Sequence, residues 1–254
     1  MGSSDPAKLR SPVGESPPEV QQLRYDECLF PEGLMTSLVP ALKNGLRSLV
    51  AIRQLNLSRK AALLTFDDGP HPEVTQKVLN LLRKYSARAV FFVVGSRIPC
   101  APHLLQEILA EGHIIGNHTF HHRARGLSYV ACLQDTRQCQ SEVLRLTGFA
   151  PTLFRPAEGV ITPANLLACR RLRMRTILWS YDTNDWRLSS DAEVREQTER
   201  ALGALATGAR NPIILMHDDN RYSPGLLEPL LECLSSRGYD LKTGAGSLDS
   251  RASV

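Results

Sequence analysis

The chain has 254 residues, of which 43% are hydrophobic and 22% are charged, and its formal net charge is +4. This composition is typical of a soluble globular protein, and the length is sufficient for one large domain with a substantial core. Basic residues are scattered except in the run Arg170–Arg175, whereas nucleic-acid binding needs a broad basic stripe with interleaved aromatic side chains. We therefore expect no nucleic-acid partner.

Residues 1–58 differ in composition from the rest of the chain. Residues 1 to about 24 are polar and rich in Ser, Pro and Gly, which predicts a disordered tail. From Leu34 to Val50, apolar residues recur at helical spacing, so we expect an amphipathic helical extension that is interrupted near Pro40.

The sequence shows no recognisable membrane-spanning or export segment. Its apolar runs fall short of the ~20 residues that a transmembrane helix requires. The polar N-terminus also lacks the apolar stretch of a signal peptide. Read as written, the sequence predicts a cytoplasmic protein without a transmembrane segment, and it predicts no particular oligomeric state.

From residue 59 to about residue 245, short apolar runs alternate with segments of helical periodicity, and residues 246–254 are predicted to form a flexible tail. The predicted strands are AALLTF, ARAVFFVVG, HIIGNH, TLFRP, MRTILWSYD, NPIILMHD and YDLKT. This alternation predicts a parallel sheet with crossover helices, and the continuously apolar strands indicate that both faces of the sheet are covered. We expect a barrel-like α/β domain over residues 59–245 rather than an open doubly wound sheet.

Polar side chains follow five of the predicted strands at the point where each strand ends. In chain order they are Asp67 and Asp68; Asn117, His118, His121 and His122; Arg155; Asp182, Asp185 and Trp186; and His217, Asp218 and Asp219. The carboxyl ends of the strands in a parallel α/β barrel all face one rim, and active sites are assembled there. The sequence therefore predicts a functional site on this rim.

The residue types on this rim suggest metal chemistry. His118 and His122 are four residues apart, a spacing that on a helical turn directs both imidazoles to the same side. Two histidines and one carboxylate form a catalytic zinc site, and Asp67 or Asp68 can supply the carboxylate while the other acts as general base. A cation between the aspartates would also offset their mutual repulsion. His217, expected on the opposite strand, is the candidate general acid.

Each of these patterns also has a structural explanation that involves no chemistry. A His-x-x-x-His spacing occurs by chance, Asp-Asp-Gly-Pro is a favourable turn sequence, and a single histidine after a strand is commonly a hydrogen-bonded core residue. What favours a functional site is the coincidence of all these patterns at equivalent strand ends.

Five short motifs in this order and spacing resemble those of a known family. The motifs TFDDGP, HTFHH, RPAEG, DTNDW and LMHD are similar to those of the polysaccharide deacetylases, the NodB-homology group of carbohydrate esterase family 4. The resemblance covers the chain from about Ala61 to Leu241. It implies a distorted (β/α)7-type barrel and metal-dependent hydrolysis of N-acetyl or O-acetyl groups from an amino-sugar polymer or oligosaccharide. Members of this family usually act outside the cytoplasm.

The resemblance implies metal ligands at Asp68, His118 and His122. Zinc is the metal that this ligand set favours, and cobalt, nickel and manganese are compatible with it.

The resemblance also implies the catalytic groups. Asp67 would be the general base, held by Arg155. His217 would be the general acid, polarised by Asp182.

The third motif departs from the family pattern. It usually reads Arg-Pro-Pro-Tyr-Gly, whereas here Glu158 replaces the aromatic residue that commonly touches the sugar. The backbone N–H of Glu158 remains available to an oxyanion, and Trp186 and Leu215 would line the pocket for the acetyl methyl group. Two alternatives stay open: a catalytically weakened carbohydrate-binding homologue, or a C–N hydrolase of the same fold acting on a small non-sugar amide.

Overall fold

The structure is a computed structural model that describes residues 51–206 and 210–248. The amphipathic helix predicted before Ala51 lies outside these residues. The parallel strands are β1 (Leu63–Asp67), β2 (Ala89–Val93), β3 (Ile114–Asn117), β4 (Leu153–Phe154), β5 (Arg175–Thr176), β6 (Tyr181–Asp182) and β7 (Ile213–His217). The α-helices are α1 (Val74–Lys84), α2 (Pro102–Ala110), α3 (Tyr129–Thr147), α4 (Pro163–Arg171), α5 (Asp191–Ala206), α6 (Ser223–Ser236) and α7 (Thr243–Gly246).

The strands form one parallel sheet in the order β5-β4-β3-β2-β1-β7-β6. The two edge strands, β5 and β6, flank a gap in the barrel wall, which we call the seam. Residues 52–54 lie across this seam. Ile52 pairs in parallel with Ile177, just after β5, and Gln54 pairs with Pro212, just before β7. The predicted distorted (β/α)7-type barrel is therefore confirmed, as a curled sheet with a bridged seam.

One predicted strand, MRTILWSYD, is divided between the two edges of the sheet. Ile177 still donates its N–H to Phe154 of β4 at 2.8 Å, whereas Ser180 donates to Ile213 of β7 at 3.0 Å. The residues between them cross the seam, so one apolar run serves as both β5 and β6. The hydrophobicity of the run does not reveal the crossing, because Ile177 and Leu178, where the crossing begins, are as fully buried as residues within a strand.

The last predicted strand, YDLKT, is not formed. Asp240 makes a single bridge with Ala61, and its carboxylate then accepts from the backbone N–H of Lys242 at 2.8 Å and of Thr243 at 3.0 Å. These bonds turn the chain into α7. Aspartate offers the backbone an alternative to sheet pairing in this way.

The sheet separates two apolar cores, and β1 shows how. Its residues Leu64 and Phe66 pack against the surrounding helices, whereas Leu63, Thr65 and Asp67 alternate onto the inner face. We call the apolar cluster at the lower end of the interior the barrel floor; it comprises Leu55, Leu63, Val90, Phe92, Ile114, Leu153, Ile177, Ile213, Ala245 and Leu248. The upper end of the interior is polar.

Residues 51–57 pack closely on the barrel. Ala51 and Leu55 are buried, and Leu55 donates its N–H to Asn211. The side chain of Asn211 in turn accepts from the N–H of Ala61 and donates to the carbonyl of Leu57. The boundary at residue 59 stays a prediction. Among the described helices, none has the length and hydrophobicity needed to cross a bilayer.

Candidate active site

A buried ion pair lies at the bottom of the candidate site. Asp67 ends β1, and Arg155, directly after β4, is 0% exposed. Arg155 Nη1 donates to Asp67 Oδ1 at 2.7 Å and to Thr65 Oγ1 at 2.9 Å, and its Nε donates to the carbonyl of Ile177 at 3.1 Å. Its guanidinium lies 4.2 Å from the centroid of the Phe92 ring. The structure thus places Arg155 in the contact with Asp67 that the family resemblance implies.

Asp68 begins the turn after β1 in a left-handed backbone conformation, with a φ of 73°. Such a conformation costs a non-glycine residue about 1–3 kcal/mol and persists only where the surroundings enforce it. Here its carboxylate faces two imidazoles: Oδ1 lies 3.0 Å from His122 Nε2 and 3.6 Å from His118 Nε2. Of the two aspartates, Asp68 therefore makes the closest approach to a histidine.

The two histidines are brought together by a loop, which corrects the expected helical turn. His118 directly follows β3, and Thr119 and His122 have left-handed backbones with φ values of 67° and 54°. Asn117 Oδ1 accepts from the Thr119 N–H at 2.8 Å, and Thr119 Oγ1 accepts from the His122 N–H at 3.0 Å. These contacts close the loop, and the two imidazole centroids lie 5.0 Å apart.

Asp68, His118 and His122 fit a divalent cation. One potential ligand atom from each lies within 4.8 Å of the others. His118 Nδ1 lies 2.8 Å from the carbonyl oxygen of Arg155, which can only accept, so Nδ1 carries the proton and Nε2 keeps its lone pair. Burial holds the pKa of His118 below its usual value and so favours the neutral ring that a metal requires. Asp68 Oδ1 is buried and accepts no hydrogen bond from the described residues.

His217 ends β7 and is the register partner of Asp67, so it lies on the neighbouring strand and not on an opposite one. Its Nδ1 lies 2.8 Å from Asp185 Oδ1, and its backbone N–H donates to Asp185 Oδ2 at 2.8 Å. Asp185 is fully buried and also accepts from Ser223 Oγ at 2.6 Å and Thr183 Oγ1 at 3.1 Å. The imidazole is thereby held through Nδ1, and Nε2 remains as its other ring nitrogen.

The partner of His217 is Asp185, which corrects the expectation that Asp182 would polarise this histidine. Asp182 Oδ1 accepts from the Asn184 N–H at 2.8 Å. Asn184 is left-handed, with a φ of 52°, and the turn that it makes carries Asp185 back to β7. Both aspartates occur in DTNDW, and sequence spacing alone cannot choose between them.

The environment of His217 favours its charged form. Burial disfavours the imidazolium, but the hydrogen bond and charge of Asp185, together with the charges of Asp67 and Asp68, outweigh this and raise the pKa of His217 to about 9. Asp182 is near enough to interact electrostatically; burial raises the pKa of its carboxyl, and the charge of His217 opposes this effect.

Trp186 and Leu215 differ in exposure. Leu215 is 3% exposed and lies two residues before His217 on β7, so its side chain shares the inner face of the sheet. Trp186 is 51% exposed, and the guanidinium of Arg187 lies 4.5 Å from its ring centroid. Leu215 therefore lies within the barrel, and Trp186 at its surface.

Glu158 lies on the turn after Arg155 and is exposed. Its backbone is left-handed, with a φ of 55°, and it precedes Gly159, whose φ is 68°. A Cβ on Gly159 would lie 2.4 Å from the Trp179 ring, so only glycine permits this close packing. The turn therefore presents Glu158 to solvent from a fixed backbone.

Comparisons with known proteins agree with these motifs. The family model described as "Polysaccharide deacetylase" matches residues 54–177. Peptidoglycan-N-acetylmuramic acid deacetylase PdaC of Bacillus subtilis is 34% identical over 187 residues, which cover 73% of this chain and 38% of the relative. A peptidoglycan-N-acetylglucosamine deacetylase of Bacillus cereus is 33% identical over 192 residues, which cover 73% of this chain and 87% of that protein. The chain thus spans well under half the length of the first of these relatives and most of the second.

Solved structures show the same fold. The structure of PdaC from Bacillus subtilis matches with a TM-score of 0.67 and 30% identity, covering 78% of this chain and 96% of that one. The CE4 family pseudoenzyme BA3943 from Bacillus anthracis matches with a TM-score of 0.68 at 21% identity, covering 76% of this chain and 66% of that one; at this identity only the fold is shared. The fold, the motifs and the identity to the Bacillus cereus protein lead to one conclusion: the chain belongs to the polysaccharide deacetylase family, NodB-homology group, carbohydrate esterase family 4.

Proposed function

We propose that the chain is a metal-dependent hydrolase that removes N-acetyl or O-acetyl groups from an amino-sugar polymer or oligosaccharide. The observation that carries this proposal is the grouping of three functions at one rim. A candidate metal cluster lies beside a buried carboxylate, Asp67, whose register partner on β7 is His217, a histidine whose surroundings raise its pKa to about 9. Amide hydrolysis needs a base for the attacking water and an acid for the departing nitrogen.

Asp67 is the proposed general base. Its Oδ1 is occupied by Arg155 at 2.7 Å, whereas Oδ2 lies 3.6 Å from His118 Nε2, on the side of the metal cluster. Oδ2 is therefore the oxygen available to take a proton from a water molecule as that water attacks the acetyl carbonyl carbon. Arg155 is a positioning residue, because its guanidinium donates four hydrogen bonds, to Asp67, to Thr65 and to the backbone carbonyls of Ile177 and Leu178.

His217 is the proposed general acid. Asp185 accepts from its Nδ1, which leaves Nε2 to donate a proton to the sugar nitrogen as the carbon–nitrogen bond breaks. Acetate and a free amine are the products. The recorded hydrogen bond of the Asp182 carboxylate goes to the Asn184 N–H, so Asp182 would act on His217 through its charge, and Asp185 takes the positioning role first assigned to Asp182.

Asp68, His118 and His122 would hold the divalent cation, and zinc suits two imidazole nitrogens and one carboxylate oxygen. When bound, the cation would polarise the acetyl carbonyl and lower the pKa of water. Cobalt, nickel and manganese are the alternatives that metal titration would distinguish.

The substrate surface is proposed to include the backbone N–H of Glu158, which would donate to the developing oxyanion. Leu215, inside the rim, and Trp186, at its surface, would line the pocket for the acetyl methyl group. Because the relatives named above act on peptidoglycan, the substrate class we favour is an N-acetylated glycan of that type. Glu158, in place of an aromatic residue, would alter which sugar is preferred.

An acetate-release assay tests this function. Purified chain is incubated with N-acetylglucosamine oligomers and peptidoglycan fragments, with each of the four metals added to metal-free protein. We expect acetate release that depends on added metal and is lost in Asp67→Asn. Glu142→Gln, which changes an exposed ion pair on α3, is the matched control and should retain activity.

A second candidate is a carbohydrate-binding homologue that has lost turnover. Glu158 favours this reading, and a pseudoenzyme shares the fold. The grouping of the proposed base, acid and three metal ligands at one rim argues against it. Glycan binding without acetate release from any glycan, in metal-loaded protein, would decide for this candidate.

A further inference from the structure

The two loops that carry the candidate metal ligands are held in unusual backbone conformations. Asp68, Thr119 and His122 are all left-handed although none is glycine. Residues in such conformations stay there only when other contacts enforce them. Besides the Asn117 and Thr119 contacts that close the histidine loop, both loops are held by aspartates on other elements, neither of which belongs to the metal cluster.

Asp135 lies on α3 and is 8% exposed. Its Oδ2 accepts from the backbone N–H of Phe120 at 3.0 Å, and its Oδ1 lies 2.5 Å from His121 Nδ1. Phe120 and His121 are in the middle of the loop from His118 to His122. One buried carboxylate therefore fastens the centre of the ligand loop to a long helix.

Asp218 follows β7 and is 1% exposed. Its Oδ2 accepts from Thr75 Oγ1 at 2.5 Å, and the same Thr75 hydroxyl accepts from the His71 N–H at 2.8 Å. A Cβ at Gly69 would lie 2.1 Å from Asp218 Oδ2, so this carboxylate packs directly against the turn that follows Asp68. Its backbone N–H also donates to the carbonyl of Asp67 at 3.1 Å.

We propose that Asp135 and Asp218 are positioning residues that hold the two ligand loops in their metal-binding geometry and thereby set the affinity for the cation. Asp135 holds the loop of His118 and His122, and Asp218 holds the turn of Asp68. The proposal rests on the metal site of the proposed function, but it concerns binding and not turnover. Contacts behind the ligands commonly change metal affinity by about 10- to 100-fold.

The test for Asp135 is zinc affinity, measured by competition with a chromophoric chelator on metal-free protein. Asp135→Ala leaves the Phe120 N–H without its acceptor and is expected to weaken zinc binding at least about tenfold. Asp135→Asn keeps an oxygen for that N–H and should lose less. Glu142→Ala, on the same helix, should bind zinc like the wild type. Wild-type affinity in a folded Asp135→Ala protein would overturn the role of Asp135.

The test for Asp218 uses its partner, because the carboxylate itself is buried beside the site. Thr75→Val removes the hydroxyl that bonds both Asp218 and the His71 N–H. We expect weaker zinc binding and a smaller zinc-induced rise in Tm than in the wild type. Thr147→Val, which removes a hydroxyl bonded at the end of α3, is the control and should behave like the wild type. Unchanged zinc binding in both Thr75→Val and Asp218→Asn would overturn the role of Asp218.

These results separate the proposal from the proposed function. Weak binding in Asp135→Ala together with a wild type that binds zinc but releases no acetate would support the positioning role and contradict the hydrolase. If Asp135→Ala binds zinc as tightly as the wild type, and the wild type releases acetate, the positioning role is contradicted and the hydrolase is supported. A wild type that binds none of the four metals would contradict both.

Discussion

The barrel floor and the candidate site above it are built from the same strands but have opposite chemistry. β1 contributes Leu63 to the floor and Asp67 to the site, and β7 contributes Ile213 and His217 in the same way. A step of four positions along one strand therefore leads from an apolar cluster to a group of buried charges. Burying apolar surface stabilises the fold, whereas burying charge opposes folding unless each charge is paired.

This difference indicates that the barrel floor mainly stabilises the fold, whereas the layer above it holds the groups proposed to act on substrate. Arg155 is fully buried and would be strongly unfavourable without Asp67 and the carbonyls that it bonds. The floor beneath it contributes the apolar contacts that can support such a group. Substitutions in the site should therefore affect turnover most, and substitutions in the floor should affect folding most.

The largest effect is expected from Asp67→Asn. The variant keeps an oxygen for Arg155 but cannot take a proton, so acetate release should fall about 10²- to 10⁴-fold. The buried Arg155 also loses its counter-charge, so some loss of stability accompanies the change. The measurement is initial rate per folded molecule, with folding checked by circular dichroism. Activity within threefold of the wild type would contradict the assignment of the base.

Leu63→Ala tests the floor. Leu63 is 0% exposed, so its truncation should lower the free energy of unfolding by about 2–5 kcal/mol. Leu167→Ala on α4, where the side chain is 56% exposed, should change it by less than about 0.5 kcal/mol. Denaturant unfolding measures both. We expect the rate per folded Leu63→Ala molecule to stay within twofold of the wild type; a large loss would mean that the two layers are not separable.

The pH dependence of stability tests the environment of His217. Its pKa is about 9 in the fold against 6.5 for the unperturbed group, so the stabilisation is fully present below pH 6.5 and is lost as the pH rises to about 9. The loss is on the order of 3 kcal/mol in metal-free protein. Asp185→Asn should flatten this dependence in urea unfolding at pH 6 and pH 9. An equally steep dependence in that variant would show that Asp185 is not its cause.

The smallest effect is expected at the surface of the rim. Glu158→Tyr places an aromatic face where the family usually has one, and stacking of this kind is worth about 0.5–1.5 kcal/mol, or roughly two- to tenfold. We expect kcat/KM for neutral N-acetylglucosamine oligomers to rise by this factor, with unchanged zinc affinity. Glu158→Gln is the control for loss of charge alone. If Glu158→Gln gives the same gain, the charge and not the missing aromatic ring limits these substrates.

Much of this architecture could be predicted from the sequence. The alternation of apolar runs and helical periodicity predicted a parallel barrel, because strands covered on both faces are apolar throughout. The polar residues after each strand predicted the rim, because the strand ends of a parallel sheet meet there. The three predicted metal ligands, Asp68, His118 and His122, lie together in the structure, and Arg155 contacts Asp67.

The parts that could not be predicted depend on backbone conformations that sequence patterns do not encode. A four-residue histidine spacing is equally compatible with a helical turn and with a loop containing left-handed residues. The choice between Asp182 and Asp185 depends on the left-handed Asn184. The sequence does not reveal the contacts of Asp135 with the loop from His118 to His122, because these contacts exist only after α3 packs beside β3.

The most direct test of the account is to measure bound metal and acetate release on the same samples of wild type and His118→Ala. His118 is a proposed ligand whose side chain takes no part in the hydrogen bond between Arg155 and Asp67. We predict about one zinc per wild-type chain and acetate release from an N-acetylated glycan, and the loss of both in His118→Ala. A wild type that is folded and zinc-loaded but releases no acetate from any glycan tested, or a His118→Ala variant that keeps both zinc and activity, would contradict the account.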